Sequence, residues 1–266
     1  MSKSPTLTNP RNPHIKQVRA LRLRRTRDET GLFIVEGIGP VGQAVEAGAA
    51  IEYFCYAPAL LESQFADDLI EAQSRRGLHC YALAPEVFRS LAEKENPQGI
   101  LAVARRPKAS LADLRPDNFA WGVAMVSPQD PGNIGTVART IDAVGAHGLI
   151  LLEGGADPFH PNSVRASMGA LFWLPVVSAA FAEFLDWAKR QGYYLCGTSA
   201  RGAADYRAVD YKRPAILLLG SEQKGLLPEQ AAACDTLVRL PMKGRASSLN
   251  LAVAAGVMLY DMLSKS

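Results

Sequence analysis

The sequence predicts an α/β protein: a C-terminal domain on a mostly parallel sheet, preceded by a smaller α/β/α domain. Three observations carry this. Short apolar runs recur from Trp121 to Leu240, several ending in loops rich in glycine and polar groups. Segments of helical pattern separate those runs, as a parallel sheet with helices on both faces requires. Between Arg105 and Asn118 the chain is charged, proline-bearing and without sustained periodicity, which marks a boundary. The expected division is 1–106, a linker at 107–118, and 119–266.

At 266 residues, with 48% hydrophobic and 21% charged residues, the chain can bury a sizeable core. No apolar run approaches the roughly 20 residues of a membrane helix. The basic start, MSKSPTLTNPRNPHIK, lacks the apolar stretch of a secretory signal, so a cytoplasmic protein is expected. Cys55, Cys80, Cys196 and Cys234 match neither a zinc spacing nor a disulfide framework, and reduced, mostly buried thiols follow. No metal-ligand spacing emerges among His14, His79, His147, His160 or the acids, so no metal is expected.

The net charge of +3 is unevenly placed. Residues 1–30 hold eight Lys/Arg against Asp28 and Glu29, a surplus of +6, which leaves −3 for the remainder. Such a basic end suits phosphate contacts with nucleic acid, with Arg19, Arg22 and Arg24 among the candidates; a solvated basic helix is the alternative.

In the first domain, His14–Arg27 carries Ile15, Val18, Leu21 and Leu23 near helical spacing and reads as one amphipathic basic helix. Strands are expected at 31–36, 51–56, 79–83 and 100–104, with helices at 40–47, 64–76 and 85–92. Gly37-Ile-Gly39-Pro-Val-Gly42 fits the dinucleotide fingerprint, which would make a nicotinamide enzyme. Against it, the second strand ends Phe54-Cys55-Tyr56-Ala57-Pro58 without an acid for the ribose, and Pro40 removes an N–H from the turn.

In the second domain, strands are expected at 121–126, 149–152, 176–178, 193–198, 215–219 and 236–240. Helices are expected at 135–144, 163–171, 181–191, 228–232 and 249–263. The first strand runs into a Pro- and Gly-bearing turn with Asn133 at the helix entrance and Arg139 in its first turns. An arginine there is disfavoured by the helix dipole unless an anion or bidentate acceptor comes to it; an ordinary surface arginine, with Asn133 as a cap, is the alternative. Arg165, in a second polar helix start, is available for a phosphate; capping of that start with close packing at Gly169 and Ala170 is the alternative. Thr198 ends a strand at the same sheet edge.

Three loops then fall into a pattern: Asn133-x-Gly135-x-x-x-Arg139, Leu219-Gly220-x-Glu222-x-x-Gly225, and Leu240-Pro241-Met242-x-Gly244-x-x-x-Ser248-Leu249-Asn250. Together they resemble the three motifs of the SpoU (TrmH-like) RNA ribose 2′-O-methyltransferases of the SPOUT superfamily, over about residues 119–264. Residues 9–105 resemble the small ribosomal-protein-like substrate-binding module of that family. The resemblance implies a trefoil knot, a homodimer near the helix from Leu249, and S-adenosylmethionine held at Gly220, Leu240 and Leu249, with Thr198 and Met242 beside them. By the same resemblance Arg139 contacts the target nucleotide and helps remove its proton, Asn133 and Glu222 fix that arginine or the nearby loop, and Ser248 and Asn250 position the substrate and complete the cofactor pocket. Ribosomal RNA, of the large subunit first, is the expected substrate, with transfer RNA second. A nicotinamide oxidoreductase and a non-catalytic RNA-binding protein are the rivals from other classes.

Overall fold

The computed structural model describes residues 6–265; Lys3, counted in the basic end, lies outside them. The chain forms two compact units. One holds the described residues up to Pro107 together with Phe159–Phe172, and the other holds Lys108–Pro158 and Trp173–Ser266. Residues 159–172, which the sequence alone assigns to the C-terminal domain, therefore belong with the first unit. Phe159 and Phe172 pack there on Phe33, at ring-centroid distances of 4.9 and 6.2 Å.

The first unit runs α1 (Pro13–Ala20), α2 (Arg24–Thr30), β1 (Leu32–Glu36), α3 (Ile38–Glu46), β2 (Ile51–Tyr56), α4 (Gln64–Arg75), β3 (His79–Ala82), α5 (Pro85–Arg89) and β4 (Ile100–Arg105). Its sheet has the order β1-β4-β2-β3, antiparallel at β4 and parallel between β2 and β3. The expected single helix at 14–27 is two helices. Asn12 caps α1, accepting from the His14 amide, and the chain breaks at Leu21–Leu23. Arg27, read as part of the basic surface, is 2% exposed and donates from Nη1 to the Leu21 and Arg22 carbonyls at 2.8 Å each. A buried guanidinium thus satisfies carbonyls that the break takes out of the helical ladder.

The dinucleotide fingerprint is also explained by structure. β4 separates β1 from β2, so the glycines do not open an adjacent-strand βαβ unit. The Ile38 amide, in the turn that would cradle a pyrophosphate, donates to Gln98 Oε1 at 3.0 Å. Gly42 lies against the Phe65 ring, 3.0 Å from where a Cβ would sit. Gly42 serves packing and Gly37 a backbone at φ +103°, while a Cβ at Gly39 would meet nothing within 4 Å.

The second unit contains β5 (Trp121–Val126), α6 (Pro131–Ala143), β6 (Leu149–Leu152), β7 (Val176–Ala179), α8 (Phe181–Gln191), β8 (Tyr194–Thr198), β9 (Ala204–Asp205), β10 (Ala215–Leu219), α9 (Pro228–Ala232), β11 (Thr236–Arg239) and α10 (Leu251–Ser264). The intervening α7 (Pro161–Ala166) lies in the first unit. The sheet order is β7-β6-β5-β10-β8-β11-β9, with every ladder parallel. β5, β6 and β10 are buried at every residue, as central strands covered on both faces must be. Their side chains join Phe184, Trp187 and Leu195 in one core.

α10 packs against α6 and β10 through Ala252, Ala255, Met258, Leu259 and Met262. Its other face is apolar too, but exposed: Val253, Val257, Tyr260 and Leu263 lie at helical spacing on it. No helix among the described residues is long and apolar enough to cross a membrane. All four cysteines are free; burial pushes the thiols of Cys55 and Cys196 up to about 12.

Candidate active site

β5 and β10 are neighbours, and the loops that follow them meet at the C-terminal edge of the sheet. After β10, Gly220 admits a tight return of the chain: a Cβ there would stand 2.0 Å from the Gly225 carbonyl carbon. Ser221 and Gly225 close the return with reciprocal backbone hydrogen bonds of 3.1 and 2.9 Å, and Gly225 takes a φ of +66°. Only glycine meets both demands without strain. The carboxylate of Glu222 is thereby presented to the loop after β5.

That loop is held by the carboxylate. Glu222 Oε2 accepts from the Gln129 amide at 3.0 Å, and Oε1 accepts from the Asp130 amide at 3.4 Å and from Asn133 Nδ2 at 3.0 Å. Asp130, not Asn133, is the N-cap of α6, accepting from the Gly132 amide at 2.8 Å, with Pro131 in the first helical position. Asn133 therefore sits inside the first turn, 7% exposed. Its Oδ1 accepts from Asn250 Nδ2 at 3.0 Å. Asn250 Oδ1 in turn caps α10, accepting from the Ala252 and Val253 amides at 2.9 and 3.3 Å. One chain of hydrogen bonds thus runs from the β5 loop through Glu222, Asn133 and Asn250 into α10.

The direction of that chain is determined by chemistry. An ionised carboxylate only accepts, so the Asn133 amide must turn its NH₂ to Glu222 and its oxygen to Asn250. The helix N-terminus offers only N–H groups, so Asn250 must turn its oxygen to them and its NH₂ to Asn133.

Arg139 is not part of this chain: among the described residues neither Asn133 nor Glu222 hydrogen-bonds to it. Six residues beyond Asn133, at about 100° per residue, Arg139 lies some 120° round the helix. It is exposed and has no hydrogen-bond or ion-pair partner among the described residues. Ser248 is likewise exposed and without a hydrogen bond among them.

The residues named for the cofactor fall at the ends of β8 and β10 and in the segment after β11. Thr198 ends β8 and is half-buried, as is Leu240 just after β11; Gly220 is buried. From Pro241 to Leu249 no peptide group takes part in a backbone–backbone hydrogen bond, and Met242 and Leu249 are 38% and 40% exposed. Unpaired peptide groups beside exposed apolar side chains fit a ligand held by backbone contacts and apolar packing. A separate cavity of about 620 Å³ opens on the β5 and β6 side of the same loop, and none of these five residues lines it.

Of the residues named for RNA, Arg19 and Arg24 are exposed, the former 3.4 Å from Ser90 Oγ and the latter paired with Asp28 at 3.4 Å. Arg22 is tied to the Leu91 carbonyl. Arg165 lies in the first unit, bonded to Asn162 Oδ1 at 2.7 Å and 3.8 Å from the Glu93 carboxylate. Among the described residues no group of three or more His, Cys, Asp or Glu is placed to hold a metal.

Sequence reasoning did not single out Gln129 and Asp130 for their amides, nor Ser127, Glu153 and Phe181 around the cavity. The first pair sits in a turn that was noticed only for its Pro and Gly. Nothing in the residue types of the others marks them.

Comparison with known proteins agrees with the geometry. The SpoU rRNA methylase family matches residues 121–260, and the MRM3-like substrate binding domain matches residues 12–102. A 23S rRNA (uridine(2479)-2′-O)-methyltransferase of Streptomyces viridochromogenes is 38% identical over 94% of this chain and 89% of its own length. A 23S rRNA (guanosine(2553)-2′-O)-methyltransferase of Bacillus subtilis is 30% identical over 95% and 96%. The crystal structure of an AdoMet-bound rRNA methyltransferase from Sinorhizobium meliloti superposes with a TM-score of 0.88 at 35% identity, covering 97% of both chains. The motif loops joined by Glu222, Asn133 and Asn250 lie within the matched region, and the chain belongs to the SpoU rRNA methylase family.

Proposed function

We propose that this protein transfers a methyl group from S-adenosylmethionine to a ribose 2′-hydroxyl of large-subunit ribosomal RNA. The observation that carries the reading is the hydrogen-bond chain Glu222–Asn133–Asn250, which ties the three motif loops into one site. The names of the two curated relatives support ribosomal RNA and the 2′-oxygen; the bound ligand of the Sinorhizobium structure supports the cofactor.

When bound, S-adenosylmethionine supplies a methyl group already activated on a sulfonium, so the protein has to orient, polarise and exclude water. Gly220, Leu240 and Leu249 would hold it through the backbone, with Thr198 and Met242 alongside. Arg139, exposed and unpaired, meets the RNA: its planar fork binds phosphate and polarises the attacking hydroxyl. A guanidinium stays protonated, so the hydroxyl proton passes to an RNA phosphate or water and not to Arg139. Asn133, Glu222 and Asn250 keep the loops in register, and Ser248 faces the substrate.

The first unit serves as the RNA-binding domain, through the exposed basic residues of α1 and α2. The exposed apolar face of α10, with Val253 52% and Tyr260 56% exposed, supports a homodimer. The trefoil knot belongs to the same proposal.

Incubation with methyl-labelled S-adenosylmethionine and separated ribosomal and transfer RNAs, followed by nucleoside mass spectrometry, tests the whole reading. The expected product is a 2′-O-methylated nucleoside from the large ribosomal RNA. Label on a base, or on transfer RNA alone, overturns it. Arg139→Lys keeps the charge but not the fork and should lose most turnover; near-normal turnover would refute the clamp.

A further inference from the structure

Ser127 and Glu153 directly follow the neighbouring parallel strands β5 and β6, and both hold positive φ, +44° and +57°. Side-chain-bearing residues rarely adopt that backbone, and it persists where the surroundings hold it. Here they do. Ser127 Oγ donates to the Glu153 carbonyl at 3.1 Å, and the Ser127 amide donates to Leu152 at 2.8 Å. Glu153 Oε1 accepts from the Phe181 amide at 2.5 Å, closing the start of α8.

Both strained residues line the cavity of about 620 Å³, along with Phe181, Gln129 and Gln223. Its place in the sheet matters. The chain leaves β5 outward to β6 and β7 and then returns to β8 beyond β10, so the strand order reverses between β5 and β10. The crevice at such a reversal, outside the C-terminal strand ends, is where open α/β sheets bind ligands.

The wall chemistry narrows the ligand. Phe181 offers a half-buried aromatic ring. Three glutamines line the cavity: Gln223 is exposed, Gln129 donates from Nε2 to the Ser127 carbonyl at 2.8 Å and keeps its oxygen to accept, and Gln230 Oε1 accepts from the Leu227 amide at 2.9 Å. The carboxylates of Glu153 and Glu229 face one lining cation, Lys224, so a phosphate would meet a wall of net negative charge. A neutral heterocycle would not. Unpaired RNA bases are recognised by this combination of stacking and edge hydrogen bonds. The Gln129 amide also holds Glu222 at 3.0 Å, so a base bound here acts on the loop that sets the active site.

We propose that this cavity takes an unpaired nucleobase of the RNA, stacked on Phe181 and read by Gln129 and Gln223, and so determines which nucleotide is methylated. The proposal rests on the RNA methyltransferase reading above.

The test uses the full chain, a ribosomal RNA fragment and fragments differing only in bases at and beside the modified nucleotide. Phe181→Leu keeps an apolar side chain against Phe184, and Gln223→Ala alters an exposed loop residue, so neither threatens the fold. Phe181→Leu should raise KM for RNA on the order of tenfold, as loss of a base–aromatic stack does. Gln223→Ala should flatten the preference among the fragments. S-adenosylmethionine affinity, by calorimetry, should be unchanged in both. Wild-type KM and base preference in both variants would overturn the proposal while leaving the methyltransferase reading intact. A matching loss of S-adenosylmethionine affinity would overturn it too, giving the cavity to the cofactor. A wild-type protein that methylates no RNA would bring down both readings.

Discussion

Asn250→Asp separates two jobs that one side chain performs. In the native chain Asn250 Oδ1 caps α10 while Nδ2 donates to Asn133 Oδ1 at 3.0 Å. Replacement by Ala removes both, about 1 kcal/mol for the cap and about 1 kcal/mol for the neutral hydrogen bond. At roughly 2–4 °C per kcal/mol for a chain of this size, Tm should fall by on the order of 6 °C. Replacement by Asp keeps the cap, with a negative charge at the helix start worth about 0.5 kcal/mol, and removes only the donor to Asn133. Asn133 would stand between two groups that only accept, Asp at 250 and Glu222, and its amide can satisfy one. If it turns from Glu222, a charge-assisted bond of about 1.5–3 kcal/mol is lost. If it does not, two oxygens oppose each other at position 250. Either way the loops shift, and each 1.36 kcal/mol lost from the transition state lowers kcat/KM about tenfold. Calorimetric melting and initial rates of labelled methyl transfer measure the two effects separately. Wild-type kcat/KM in Asn250→Asp would refute the relay, and a wild-type Tm in Asn250→Ala would refute the cap.

Gly220→Ala should abolish most methyl transfer, because a Cβ 2.0 Å from the Gly225 carbonyl carbon forces the Glu222 loop to move; a rate assay showing normal turnover would contradict the close approach. Arg27→Met should destabilise the first unit by roughly 2–4 kcal/mol, since the Leu21 and Arg22 carbonyls lose a charged donor. Chemical denaturation reads this, and an unchanged midpoint would return Arg27 to the surface. Val257→Glu should turn a dimer into a monomer in analytical ultracentrifugation by placing a charge within the apolar face of α10; a monomeric wild type would remove the homodimer from the proposal.

What the sequence discloses depends on how local the determinant is. β5, β6, β10 and α8 lie where the residue pattern places them, because a buried parallel strand is a continuous apolar run and an amphipathic helix a regular one. The motif residues were legible for a similar reason: Gly220 and Gly225, with Pro131, mark turns by their own backbone limits. Other features depend on distant partners. The break at Leu21–Leu23 is stabilised by Arg27, whose guanidinium is indistinguishable in sequence from its solvated neighbours. β9 is a two-residue strand that exists through its ladder with β11. Phe159–Phe172 joins the first unit through aromatic contacts to Phe33 that no local pattern announces. Positive φ at Ser127 and Glu153 was invisible because neither residue is a glycine or an asparagine.

On the proposed reading, the loop from Gly220 to Gly225 stands between two binding regions. One is the open run of peptide groups at residues 241–249, between β11 and α10, suited to the cofactor. The other, on the loop's β5 and β6 side, is the cavity suited to a base. Glu222, in that loop, reaches both: through the Gln129 backbone amide it touches the wall of the cavity, and through Asn133 and Asn250 it touches the start of α10, where the cofactor segment ends. A carboxylate is suited to this position because it accepts from several donors at once and donates to none, so every neighbour must turn an N–H toward it. A glutamine there would present an NH₂ to at least one of those N–H groups. Arg139, free of the network, is left to respond to the RNA alone. The arrangement therefore ties substrate recognition and cofactor geometry to one carboxylate while keeping the group nearest the chemistry uncommitted until RNA arrives.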